Sequence, residues 1–462
     1  MSDLVRLKTA AGRWIVLAAV LGSGMALLDG TVVNVAVKPI GEDLDADLAE
    51  LQWVVNAYML SLASLILLGG SLGDRFGRRR AFMIGVAWFA LASLVCGFAQ
   101  DAFQLIAARA LQGVGGALLT PGSLAILQAT LHPADRARGI GVWSAYTGIA
   151  AAAGPLLGGW LIQVASWRWV FFINVPLAVV VLVVSARHVP ESAHRVPGER
   201  FDVRGAVLAA LGLAGVTYAL IEANTGWNAT VLTATVVGLA ALAAFVQAER
   251  RRRDPMLPPE LFTDVTFSVV NVVTFAVYGA LGGGLFLLVL QLQVTSGFTP
   301  LQAGMSMFPF TVIMLLFSSR SGALASRIGP RVQLIGGPVV SALGMLMLSR
   351  VGADASYLVN VLPGVCLFGI GMTLLVAPLT ATVLAAVPDE DAGIASGVNN
   401  AVARAASLLA VAALPTVVGL SGESYQDPVA FTDGYRAALL VCVVVLLMGS
   451  ATATLVPRRQ AV

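Results

Sequence analysis

The 462-residue chain is predicted to be an all-α polytopic membrane protein: two six-helix bundles with two further helices inserted between them, fourteen spans in all. Three observations predict this. Only 11% of the residues are charged and 58% are hydrophobic, whereas a soluble protein carries about 25% charged residues. So few charges cannot cover a wetted surface, which excludes a soluble enzyme. The charges also gather in short clusters between apolar runs of about 20 residues, the length that crosses a bilayer. Finally, one cluster recurs 252 positions further on, so the chain reads as two related halves.

The spans in order are 14–37, 51–72, 81–98, 102–125, 139–162, 169–189, 205–221, 230–246, 267–294, 301–319, 332–351, 357–376, 394–420 and 437–456. The parsing is a tail (1–13), a first bundle (14–190), the inserted pair (205–248), a second bundle (267–456) and a tail (457–462). Behind Arg6, Lys8 and Arg13 the first run resembles a signal peptide. It continues past twenty residues without a cleavage site, so it is read as an uncleaved span.

Loop charges set the orientation. With the N-terminus inside, 22 of the 28 Lys and Arg fall at the cytoplasmic side, 4 at the outer side (Lys38, Arg168, Arg350, Arg436) and 2 deep within spans (Arg109, Arg404). Basic loops are retained in the cytoplasm, so both termini are expected there, in the inner membrane. The net charge of +3 thus reports membrane orientation and not nucleic-acid binding. Cys96, Cys366 and Cys442 each lie within an apolar run with no C-x-x-C spacing, as small buried residues do. No metal and no cofactor is expected.

Residues 70–80 read GSLGDRFGRRR, and residues 322–332 repeat them as GALASRIGPRV. Gly70, Leu72, Arg75, Gly77 and Arg79 correspond to Gly322, Leu324, Arg327, Gly329 and Arg331. Gly73 and Gly77 permit a tight turn between helices. Asp74 is an acceptor suited to a neighbouring helix N-terminus, and Arg75, Arg78 and Arg79 are positive-inside anchors. A plain basic loop would explain the arginines but not the glycine and aspartate spacing. Ser326 stands where the first copy has Asp74, so the second copy is expected to be the weaker latch. This segment resembles the signature loop of the major facilitator superfamily. The resemblance implies the two-bundle transporter fold, in which repeated halves enclose a central site.

Two charged residues lie inside spans of the first half. Asp29 sits in LLDGTVVNVAV, and a carboxylate deep in hydrocarbon is costly enough that it usually marks an ion pathway; the alternative is a structural ion pair that never titrates. The stretch is similar to the first-helix motif of the fourteen-span drug:proton antiporter family. Arg109, in RALQGVGGALLTPG, resembles the superfamily's R-x-x-Q-G-x-G motif, which implies a part in proton transfer. Asp29 is 8 residues before the end of the first span, roughly 12 Å, and Arg109 is 7 residues after the start of the fourth, roughly 10 Å. They are expected at the same depth, where a change in their separation would load or release a proton.

The fifth span contains GIAAAAGPLLGG. Gly148, Gly154, Pro155, Gly158 and Gly159 resemble the antiporter motif of exporters. The glycines allow close helix approach, and Pro155 removes a backbone donor. SWRWVFFINVP, at 166–176, is similar to a segment of fourteen-span exporters. Arg404 either faces a cavity or bonds to backbone carbonyls. Further cavity candidates are Asn34, Trp53, Asn56, Tyr58, Gln112, Trp143, Tyr146, Tyr278 and Gln291, although aromatics in spans more often pack or sit at the interface. The tenth span has no acid, which leaves Asp29 as the main fixed anion for a cationic drug.

These features imply a proton-coupled exporter of drugs or other small amphipathic molecules, with small-molecule substrate, protons and lipid as its partners and a monomer expected. No G-x-x-x-x-G-K-[ST] loop is present, which argues against ATP-driven pumping. A dedicated exporter of one endogenous metabolite or antibiotic fits the same residues. A transport-inactive sensor would need a soluble output domain, and the longest loop, at about 190–204, is too short for one.

Overall fold

A computed structural model describes residues 4–192, 202–223, 226–252, 255, 257–388, 392–420 and 427–457. Arg195, Arg200, Arg253, Arg458 and Arg459 of the charge count lie outside them, with most of the 190–204 loop and of the 457–462 tail; so does the side chain of Ser326. Regular structure among the described residues is helical, apart from an isolated bridge between Val5 and Leu131. Fourteen helices are long and apolar enough to cross a membrane. They are α1 (Ala10–Leu44), α2 (Leu48–Phe76), α3 (Arg78–Gly97), α4 (Ala102–Thr130), α5 (Pro133–Val164), α6 (Trp169–His188), α7 (Val203–Glu222) and α8 (Ala229–Arg251). Then come α9 (Val265–Val294), α10 (Pro300–Ala325), α11 (Pro330–Leu348), α12 (Tyr357–Ala385), α13 (Gly393–Val417) and α14 (Pro428–Ala453).

Several helices outrun their apolar cores. α1 continues seven residues past the expected Val37 to Leu44, carrying Lys38, Glu42 and Asp43 in its last turns. Hydropathy finds only the lipid-immersed part of a helix, so the depth count above rested on a boundary set too early. α6 is interrupted at Ile173, between Trp169–Phe172 and Asn174–His188, and α10 at Met307.

The chain forms two compact units: Met1–Ala46 with Trp53–Ala210, and Asp47–Gln52 with Leu211–Val462. In the first, α1 packs on α4, α5 and α6, and α3 on α4 and α6. In the second, α9 packs on α12, α13 and α14, and α11 on α12 and α14. The two neighbour lists coincide under the repeat seen in the sequence. The inserted α8 belongs to the second unit, where Gly215 of α7 meets the Gly238 backbone of α8 at a distance that leaves no room for a side chain. Glycine also permits a close crossing in the first unit: a Cβ on Gly115 of α4 would stand 2.7 Å from the backbone nitrogen of Phe89 on α3.

The repeated loop does the same work in both units. Gly77 and Gly329 precede α3 and α11 with φ of +111° and +82°, backbone conformations that glycine adopts without steric cost. One residue pair later, the side chain of Arg79 donates to the carbonyl of Val189 just past α6. Its counterpart Arg331 donates to the carbonyl of Thr454 just past α14. Each latch therefore ties the third helix of a bundle to the end of the sixth.

Candidate functional site

Asp29 and Arg109 meet inside the first unit. Arg109 Nη1 lies 2.5 Å from Asp29 Oδ2, and the side chains are 1% and 0% exposed. Removing a buried charge from water costs several kcal/mol per ion unless the pair and its remaining donors and acceptors are satisfied. Here they are. Arg109 Nη1 also donates to Gln112 Oε1, and Arg109 Nε donates to the carbonyl of Val54 at 3.1 Å. The guanidinium lies over the ring of Tyr58, 4.4 Å from its centroid, with Phe171 at 5.7 Å. The other carboxylate oxygen, Oδ1, accepts from Gln112 Nε2 at 2.8 Å and Asn174 Nδ2 at 3.0 Å. Both amides donate as well to Ser93 Oγ, at 2.7 and 2.9 Å. The Cys96 thiol donates to Gln112 Oε1 at 3.7 Å.

Five helices thus supply one buried polar cluster. The interruption of α6 at Ile173 starts a new helical segment at Asn174 and so presents this amide to α1. Just ahead of α6 and at its start, Trp167 Nε1 and Arg168 Nη1 donate to Asp43 in the last turns of α1, at 3.0 and 2.5 Å. Ser93 and Asn174 were missed by sequence reasoning. Asn174 lies in the exporter-like segment around Trp167, which was the available signal; Ser93 had none.

The α5 motif packs directly against the helix of Asp29. Pro155 lacks the N–H that would bond the carbonyl of Ala151 four residues earlier. The hydroxyl of Thr31, two residues from Asp29, stands 3.2 Å from that carbonyl and shares its proton with the carbonyls of Leu27 and Leu28 in its own helix. Gly154 faces Thr31 and Gly158 faces Val32 so closely that a side chain at either position would collide. Gly148 has open space beside its Cα. Replacing Thr31 by Val keeps the shape and removes the donor. The variant is expected to lose about 1 kcal/mol of stability, measured as thermal unfolding in detergent, and Thr31→Ser is expected to restore it.

The remaining site candidates are scattered. Asp74 is held by Arg78, with Nη2 and Nε both at 2.7 Å, rather than capping a helix. The acid at the N-terminus of α3 is Glu191, which accepts from the backbone nitrogens of Arg79 and Arg80 at 3.1 and 3.3 Å. A Cβ added at Gly70 would stand 3.7 Å from Pro121 and one at Gly73 3.7 Å from Ala81, ordinary contact distances; Arg75 is exposed. Gln112 and Tyr58 belong to the buried cluster and not to an open cavity. Asn56 is fully buried, Asn34 and Trp53 half-buried, and Trp143 donates to Ser23 at 3.1 Å. In the second unit, Gln291 donates to the carbonyl of Val351 and to Thr432, whereas Tyr278 and Arg404 are half-buried. Asp29 itself offers no open face to a cationic drug: its carboxylate is wholly buried and held by Arg109, Gln112 and Asn174.

A multi-pass membrane protein of two repeated helical bundles, with a charge cluster buried within one of them, has the architecture of a secondary transporter. The chain belongs to the Major Facilitator Superfamily, whose profile matches residues 19–411. It is 36% identical over 456 residues to a puromycin resistance protein of Streptomyces alboniger, covering 94% of this chain and 90% of that one. It is also 36% identical over 412 residues to the multidrug resistance protein Stp of Mycobacterium tuberculosis (strain CDC 1551 / Oshkosh), covering 88% and 76%. In fold it is similar to a bacterial homologue of the human lysosomal transporter Spinster, with a TM-score of 0.69 at 16% identity and 97% of each chain covered.

Proposed function

We propose that this protein exports drugs or related small amphipathic molecules across the cytoplasmic membrane in exchange for protons, working as a monomer with both termini in the cytoplasm. The observation that carries proton coupling is the wholly buried Asp29–Arg109 pair, because intramembrane ionisable residues mark ion pathways. When Asp29 is ionised, Arg109 neutralises it. When Asp29 takes a proton, Arg109 keeps the carbonyl of Val54, Gln112 Oε1 and the Tyr58 ring. A proton entering down the membrane potential supplies about 2.3 kcal/mol per 100 mV. The resistance proteins among the relatives support an exported, drug-like cargo.

The test is ethidium efflux from proteoliposomes with an imposed pH gradient. Transport that accelerates with the gradient and stops with a protonophore is expected; transport indifferent to the gradient rejects the coupling. Orientation is tested separately. Reporter fusions placed after Arg13 and after Arg459 should both signal from the cytoplasm, since 22 of 28 basic residues lie on that side of the span pattern. A periplasmic signal from either one removes the even span count.

A further inference from the structure

A second feature of the first unit is chemically unlike the Asp29 cluster. Between the neighbouring helices α1 and α5 lies an open cavity of about 390 Å³, within the size range of small-molecule sites. Its lining is graded. Lys8, Arg13 and Arg138 stand at the end where both helices begin, and Val16, Leu17, Val20 and Val142 form the walls beyond them. Arg138, Val142 and Tyr146 are spaced by four residues along α5, so they share one face of that helix. Arg13, Val16, Leu17 and Val20 do the same on α1. The run from Arg138 to Tyr146 spans roughly 12 Å and ends at an exposed phenol.

No carboxylate lines this groove. Among the described residues, the acid nearest in sequence to Arg138 is Asp135, which accepts from the backbone nitrogen of Leu7 at 3.2 Å and stands 3.9 Å from Arg6. Arg13 is oriented by its own bond from Nη2 to the carbonyl of Lys8 at 3.2 Å. Three cations at one end of an apolar trough complement a molecule with a negative head and an apolar body. They repel a cationic amphiphile, and the one buried acid of this unit's membrane core, Asp29, is occupied by Arg109.

We infer that the α1–α5 groove binds anionic amphiphiles, with Lys8, Arg13 and Arg138 on the acidic head and Val16, Val20 and Val142 on the apolar body. This rests on the exporter reading for its biological sense, because the groove opens at the end assigned to the cytoplasm, from which export starts. Its binding chemistry can be measured without transport. The head can belong to a solute or to an acidic phospholipid, and the two sources are separable.

The probe is 11-(dansylamino)undecanoic acid, titrated by fluorescence against the purified full chain in nanodiscs, with its methyl ester as the uncharged control. In phosphatidylcholine nanodiscs the acid is expected to bind tighter than the ester. The triple variant Lys8→Gln, Arg13→Gln, Arg138→Gln should weaken the acid about tenfold and leave the ester unchanged. Val142→Trp, which keeps every charge and fills the trough, should weaken both. Equal affinity of parent and triple variant for the acid overturns the inference, as does unchanged binding to Val142→Trp. Repeating the titration in phosphatidylglycerol nanodiscs identifies the source. Loss of probe binding there, restored in phosphatidylcholine, makes acidic lipid the occupant, and undiminished binding makes it a solute; both outcomes support an anionic-head site. Gradient-driven efflux plays no part in these readings, so failure of proton coupling would leave them standing.

Discussion

Asp29→Asn is expected to reduce gradient-driven efflux to the leak rate of empty liposomes. The substitution keeps the volume of the side chain and removes the charge on which the proton acts. It also places an amide donor or a neutral oxygen opposite Arg109 Nη1, where a carboxylate oxygen now stands at 2.5 Å. Leaving a buried cation without its counter-charge costs about 3–5 kcal/mol. The variant should therefore insert but unfold at lower temperature. Efflux assays in proteoliposomes and thermal unfolding in detergent read the two effects separately. Full gradient-driven efflux by Asp29→Asn would mean that the proton travels elsewhere.

Arg109→Lys is expected to be nearly as damaging, although it conserves the charge. Arg109 serves three elements at once: Asp29 on α1, the carbonyl of Val54 on α2 and Gln112 on its own helix. Its guanidinium carbon also stands 4.4 Å from the centre of the Tyr58 ring. A planar fork can do this; an ammonium on a flexible stem concentrates its charge at one point and does not stack. A loss of about 2 kcal/mol, or roughly 30-fold in efflux rate, follows from the forfeited charge-assisted bonds. Efflux by Arg109→Lys within twofold of the parent would show that only charge matters. Arg109→Met, which strands the carboxylate, should be worse than either.

The helical architecture was legible because lipid imposes it: apolar length reports a span, and basic loops report its ends. The proximity of Asp29 and Arg109 was legible for a related reason, since two lone charges in hydrocarbon must find each other. Depth counting placed them together in spite of a boundary seven residues short on α1. Gln112 was named, but as a cavity residue. What composition could not reveal was the neutral remainder of the cluster. Ser93 is one of many serines in apolar helices, and it becomes specific only when α3 brings it within 2.7 Å of Gln112. Asn174 depends on a helix interruption at Ile173 whose one sequence mark is Pro176, which cannot donate to the carbonyl of Phe172. Glu191 was hidden because it lies far along the chain from its partners, the backbone nitrogens and guanidinium groups of Arg79 and Arg80. Asp74 drew attention through its motif, yet its carboxylate is held by the arginine one turn onward.

Cys96 gives the cluster a built-in clock. Its thiol touches Gln112, which itself holds both Arg109 and Asp29, and the side chain is wholly shielded from solvent. Water that reaches the carboxylate through this side of the cluster passes a sulfur atom that a small alkylating reagent can mark permanently. The fraction of this thiol labelled over time then reports how often that side of the cluster opens. Cys442 is equally shielded but lies in the other unit. The ratio of label at the two positions would separate an event at the proton site from a general loosening of the chain.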